Sequence, residues 1–189
     1  MAKQFAGLED AHRAFIQRQK IFFAATAAPE ARVNISPREA GALRVLGPNS
    51  VVYLDQTGSG GETAAHLLAD GRMTIMFCAF EGLPLILRLY GQGRSMVRGG
   101  AAYAALLASA FGGDEPLGAR QIVVLDIDLV QTSCGYGVPL FDHAGDRNNL
   151  HRWAEAKGAA GLEAYRREKN ARSIDGLPTG LVEDTAAPA

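Results

Sequence analysis

Between Leu8 and Lys20 the residues Leu8, Ala11, His12, Phe15 and Ile16 recur at three- and four-residue steps with charged residues between them. That period predicts an amphipathic helix at the start of the fold. The next hundred residues change character. Short runs rich in Val, Ile, Phe and Tyr, at Ile21–Thr26, Arg32–Ile35, Leu43–Leu46, Ser50–Leu54, Met73–Ala79 and Leu85–Gly91, are separated by Gly, Pro and Asn. These read as strands. Their links are mostly too short for a crossover helix, so neighbours should pair antiparallel and close into a barrel rather than a sandwich.

Helices are expected at Glu62–Ala69, after the run Thr57-Gly58-Ser59-Gly60-Gly61, and at Ala101–Phe111, stopped by Gly112-Gly113. A long Val/Ile/Leu strand follows at Gln121–Val130, then two charged helices at Arg147–Lys157 and Gly161–Arg172. The reading is a mainly β, α+β chain: one split-barrel domain over residues 1–178, the barrel at about 15–135 and the C-terminal helices at about 145–172. The patternless residues 179–189 are expected to be a flexible tail.

Composition narrows the function. The chain has 189 residues, 48% of them hydrophobic, which at about 150 residues per domain suits one self-sufficient core. Nineteen Lys and Arg against twenty Asp and Glu give a formal charge of −1, which argues against nucleic acid as the main partner. Cys78 and Cys134 have no metal-binding spacing and read as reduced thiols. The apolar stretch Met73 to Leu87 is broken by Glu81, Gly82 and Pro84, and Met1 to Lys20 lacks a signal-like apolar core. The expectation is a soluble cytoplasmic protein with neither metal nor membrane partner.

The most informative local feature is the order strand, glycine-rich loop, helix at Val51–Ala69. Glycines let successive backbone N–H groups converge, and a helix N-terminus adds free donors with a positive partial charge, so the loop is a candidate phosphate seat. Thr57, Ser59 and Thr63 would add hydroxyls; equally, Ser59 or a neighbour would simply cap the helix. Glu62 follows Gly61 where a Walker loop needs Lys, and the third glycine of a dinucleotide loop is missing. Ser59 is a near miss for a nucleophile elbow, which leaves acyl hydrolysis as a minor reading. Arg88, inside the apolar run Leu85–Gly91, must be paired, face a ligand or point outward while Leu87 and Leu89 point in.

The order of these parts, with Arg32-Val33-Asn34-Ile35-Ser36-Pro37, Val52-Tyr53-Leu54-Asp55, the Gly/Ser/Thr loop and Leu87-Arg88-Leu89-Tyr90-Gly91, resembles the pyridoxamine 5′-phosphate oxidase-like family of FMN-binding split barrels. The stretches TGSGGETAAHLL, FCAFEG, LRLYGQGR and QTSCGYGVP resemble a bacterial branch of it. The resemblance implies a homodimer holding FMN at the subunit interface. The flavin would lie on Arg32, Val33, Asn34 and Ile35, beside the strand end Tyr53, Leu54 and Asp55. Its phosphate would be held near Thr57, Ser59, Gly60 and Thr63, with Arg88 and Gly91 on the following strand. It further implies an FMN-dependent oxidoreductase acting on a small organic substrate, or else a non-catalytic flavin- or haem-binding protein on the same barrel. Where the oxidase carries an Arg-Lys pair in its phosphate loop this chain has Gly60-Gly61-Glu62, which removes two cations, and where it carries a lysine for its substrate phosphate this chain has Ser36-Pro37-Arg38, which argues against vitamin B6 as substrate.

Overall fold

The computed structural model describes residues 2–183. Eight strands form one antiparallel sheet: β1 (Lys3–Phe5), β2 (Ile21–Thr26), β3 (Asn34–Glu39), β4 (Leu43–Gly47), β5 (Ser50–Gln56), β6 (Arg72–Cys78), β7 (Ile86–Val97) and β8 (Ala119–Ser133). The spatial order is β3-β2-β6-β7-β8-β5-β4, with β1 added to β8. Four helices flank the sheet: α1 (Asp10–Arg18), α2 (Glu62–Ala69), α3 (Ala101–Phe111) and α4 (Asn149–Lys169). The expected antiparallel split barrel is the observed architecture.

Alternation along the strands divides the core in two. Phe22, Ala24, Val51, Tyr53, Ile75, Phe77, Leu87, Leu89 and Leu125 point inward with Phe15 and Ile16 of α1 to fill the barrel. Val52, Leu54, Ile122 and Val124, on the opposite faces of β5 and β8, pack with Tyr103 of α3 as a second cluster. Alternation also leaves Phe23, Met76 and Arg88 in register on the outward face, each only half-buried. A bulge between Tyr90 and Gly91 lets β7 follow the bend of β8. Only glycine fits at 91, because a Cβ there would lie 1.9 Å from the Asp126 carbonyl oxygen.

Several boundaries differ from the sequence reading for physical reasons. β3 starts at Asn34, opposite Thr26, so Arg32 and Val33 belong to the preceding loop rather than to a strand. β7 continues past Gly91 to Val97 because it pairs with β8 along its whole length. Strand β1 is only three residues long and gave no periodic signal. The two C-terminal helices meet at Gly158, whose φ of 65° turns the chain back on itself. Trp153 and Tyr165 thus meet edge to face at 5.1 Å, although a straight helix would set them about 18 Å apart. Thr179 and Leu181 are buried, so the expectation of a free tail from 179 fails for that stretch; residues 184–189 lie outside the described residues.

Candidate functional site

The mouth of the barrel lies where β3, β5, the start of β8, the N-terminus of α2 and the segment after α4 converge. Its buried floor is a charge cluster. The Asp55 carboxylate, on the inward face of β5, accepts from Arg120 Nε at 2.8 Å and Gln121 Nε2 at 2.7 Å. It also pairs with Arg38 of β3. Burial alone would raise the pKa of Asp55, but the charges of Arg120 and Arg38 and the hydrogen bonds from Gln121 and Arg120 outweigh it and hold the carboxyl below its ordinary range. Two guanidinium groups share one carboxylate, which leaves the floor with one net positive charge.

The loop above is fixed from below. Arg120 Nη1 donates to the Gly60 carbonyl at 2.8 Å, and Asn170 Nδ2, from the end of α4, donates to the Gly58 carbonyl at 3.0 Å. Thr57 does not face the mouth as expected of a phosphate ligand. Its hydroxyl donates to the Gly118 carbonyl at 2.8 Å and accepts from Arg166 Nη1 at 3.1 Å, tying the loop to α4. Ser59 is exposed, and the helix N-cap is Gly61, which has no side chain to accept a capping bond, so Ser59 is not the cap. A Cβ at Gly61 would come within 2.8 Å of the buried Thr179 methyl, which makes glycine the residue that fits beneath the C-terminal segment.

Beside the loop runs a polar chain. Asn34 Nδ2 donates to the hydroxyls of Thr26 and Thr63, both at 3.2 Å, and Ser36 Oγ donates to Asn34 Oδ1 at 3.3 Å. Thr26 Oγ1 lies 3.0 Å from His66 Nδ1 of α2, while His66 Nε2 is buried with no partner among the described residues. Burial, the largest influence, pushes the Tyr53 hydroxyl well above its ordinary pKa, and the hydroxyl lacks a well-formed hydrogen bond.

The remaining expected residues separate from this set. Leu54 alternates away from Tyr53 and Asp55 into the cluster under α3. Arg88 sits on the outward sheet face, where its Nη1 donates to Ser133 Oγ at 2.9 Å. Val33 and Ile35 are 69% and 64% exposed, at the free edge of the sheet. Arg32 is 74% exposed at its side chain, yet its backbone N–H donates to Asp175 Oδ2 at 2.8 Å and its guanidinium pairs with the same carboxylate. The structure therefore brings together Asn34, Tyr53, Asp55, Gly60 and Thr63, with Arg32 at the rim.

Arg38, Arg120, His66, Asn170 and Asp175 are members that sequence reasoning missed. Arg120-Gln121 was findable, since a charged and a polar residue open an apolar strand run. On the far side of Arg38 opens a cleft of about 1040 Å³ lined by Phe15, Lys20, Phe80, Leu83 and Phe141. Among the described residues, no group of three or more His, Cys, Asp or Glu is placed to hold a metal ion. Both cysteines are free thiols, Cys78 buried and Cys134 exposed.

A family model described as pyridoxamine 5′-phosphate oxidase matches residues 8–134, which span every strand of the barrel except β1. The chain belongs to the pyridoxamine 5′-phosphate oxidase family. A pyridoxamine 5′-phosphate oxidase family protein of Aspergillus flavus, ustO, is 38% identical over 190 residues, covering 92% of this chain and 76% of the relative. This relative is fungal, so the likeness reaches beyond the bacterial branch. Among solved structures, HupZ of Group A Streptococcus superposes with a TM-score of 0.52 at 20% identity, covering 65% of this chain and 91% of that one. A candidate pyridoxamine 5′-phosphate oxidase of Lactobacillus delbrueckii gives 0.51 at 16% identity, covering 67% and 94%. These two likenesses concern the fold alone. No helix among the described residues is long and apolar enough to cross a membrane.

Proposed function

We propose that this family member is a homodimeric, FMN-dependent oxidoreductase acting on a small organic substrate. The observation that carries the reading is the Asp175 carboxylate held by the amide and guanidinium of Arg32. It is a stand-in for an anionic group at the rim of the expected flavin seat, and it speaks for a donor set suited to a phosphate. The cations missing from the loop are supplied from below by Arg38 and Arg120, whose joint charge exceeds that of Asp55 by one. A bound flavin would supply the electron-transfer chemistry. Arg32, Asn34 and Thr63 would bind and orient it, while the 1040 Å³ cleft beside Arg38 would admit the substrate.

The dimer reading rests on the outward face of β2, β6 and β7. Its half-buried Phe23, Met76 and Arg88 adjoin the exposed Ile35, a patch that a second copy would cover. The test is a visible spectrum of the purified protein after FMN addition, followed by NADH or NADPH. Bleaching of the flavin band supports the oxidoreductase; a band that neither donor bleaches makes it a binding protein, and no uptake removes the flavin reading.

A further inference from the structure

The segment that follows α4 is anchored in the interior at both ends and forms a tight turn between them. At one end Asn170 is fully buried, bonded to Gly58 and to Arg120 Nη1 at 3.0 Å. At the other end the buried Thr179 donates to the Asn170 carbonyl at 2.6 Å, and Leu181 is buried beyond it. Between these anchors Ser173–Leu177 form a self-contained turn. Ser173 N–H donates to the Leu177 carbonyl at 2.8 Å and Gly176 N–H to the Ser173 carbonyl at 3.0 Å. Gly176 has φ 82°, the left-handed value that such a turn requires.

This turn touches the barrel mouth at two points, one at Arg32, at the start of the expected flavin seat, and one at Glu62, between Gly60 and Thr63 of the expected phosphate loop. Asp175 takes the Arg32 amide and guanidinium, and Ile174 N–H donates to Glu62 Oε1 at 3.2 Å, at the first turn of α2. The Arg32 side chain is 74% exposed and that of Asp175 12%, so a competing anion reaches the pair from the arginine side, where solvent screens it. Ile174 is itself 73% exposed, so little apolar burial keeps the turn down.

We infer that the turn Ser173–Leu177 is a flap whose Asp175 carboxylate occupies the anion position at Arg32 and yields it to a phosphate monoester. The buried anchors at Asn170 and Thr179 act as hinges, so the flap opens without unfolding α4. With only part of the population open, the apparent affinity is the intrinsic affinity multiplied by the open fraction. That FMN is the physiological ligand rests on the reading above; the flap requires only a phosphate group.

The experiment compares the full chain with Asp175→Ala, using FMN, riboflavin and inorganic phosphate as probes. The variant alters an exposed turn and should fold, which circular dichroism checks. Calorimetry is expected to show FMN binding about 3- to 10-fold tighter in the variant, with riboflavin unchanged because it carries no phosphate. Hydrogen exchange should show the Ser173–Leu177 amides losing protection when FMN binds to the parent. Equal FMN affinity in both proteins, with unchanged protection of the turn, overturns the flap. If neither flavin binds either protein, the flavin reading fails and inorganic phosphate decides the flap alone. It then shifts the Arg32 amide resonance more strongly in Asp175→Ala if the flap exists, and equally in both proteins if it does not.

Discussion

Two arginine–carboxylate pairs frame the mouth of this barrel, and they are built from the same chemistry with opposite consequences. Asp55 with Arg120 is shut in the interior, their side chains 0% and 4% exposed, with Gln121 and Arg38 completing the carboxylate's bonds. Asp175 with Arg32 sits at the rim, its arginine largely in water. Breaking the inner pair strands a charge in a low-dielectric site, whereas breaking the outer pair only returns two groups to solvent. Burial decides which pair is scaffold and which is exchangeable. The inner pair fixes the loop through the Gly60 carbonyl, and the outer one leaves its anion position open to competition.

The largest effect should come from Asp55→Ala, which leaves Arg120 buried and uncompensated. A loss of about 3–5 kcal/mol is expected by urea unfolding, and a loss below about 1 kcal/mol would show that the inner pair is no more structural than the outer.

Asp55 also gives the pair a pH signature. Its folded pKa lies below the ordinary carboxylate value, so its stabilisation is fully present above that value and is lost as pH falls through and below it. The urea midpoint of the parent should fall in that acid range, and the part of the fall owed to this site should vanish in Asp55→Asn. Parallel curves for the two proteins would contradict the assignment.

A smaller effect is expected beside the pair. Thr63→Ala removes one of the two acceptors of Asn34 and should cost about 1 kcal/mol. At the outer pair, Arg32→Ala should change stability by less than about 1 kcal/mol. The same substitution should weaken FMN uptake about tenfold, the scale of one charge-assisted contact. A stability loss equal to that of Asp55→Ala would erase the distinction between the two pairs.

The strands and the two middle helices were legible because their periods of two and about 3.6 are local properties of the chain. Glu62–Ala69 and Ala101–Phe111 were predicted to the residue, since a glycine run precedes the first and a glycine pair closes the second. The site was legible only in part. Asn34, Asp55 and Thr63 were expected and meet, but strand alternation sends Leu54 to the other face, a rule the sequence already contained. Thr57 looked like a free hydroxyl because its partner, Arg166, stands 109 residues away. Asp175 and Asn170 carried no pattern at all. Their roles come from a fold-back of the chain at Gly158 and from tertiary contacts, which no local period encodes.

A titration of FMN into the purified chain, followed by quenching of its fluorescence, decides whether the barrel mouth recognises the flavin phosphate. Saturation at one FMN per chain, affinity that falls as salt rises, and riboflavin binding at least about tenfold weaker are expected, since phosphate recognition carries the grip. FMN that fails to quench, or FMN and riboflavin binding alike, would contradict it.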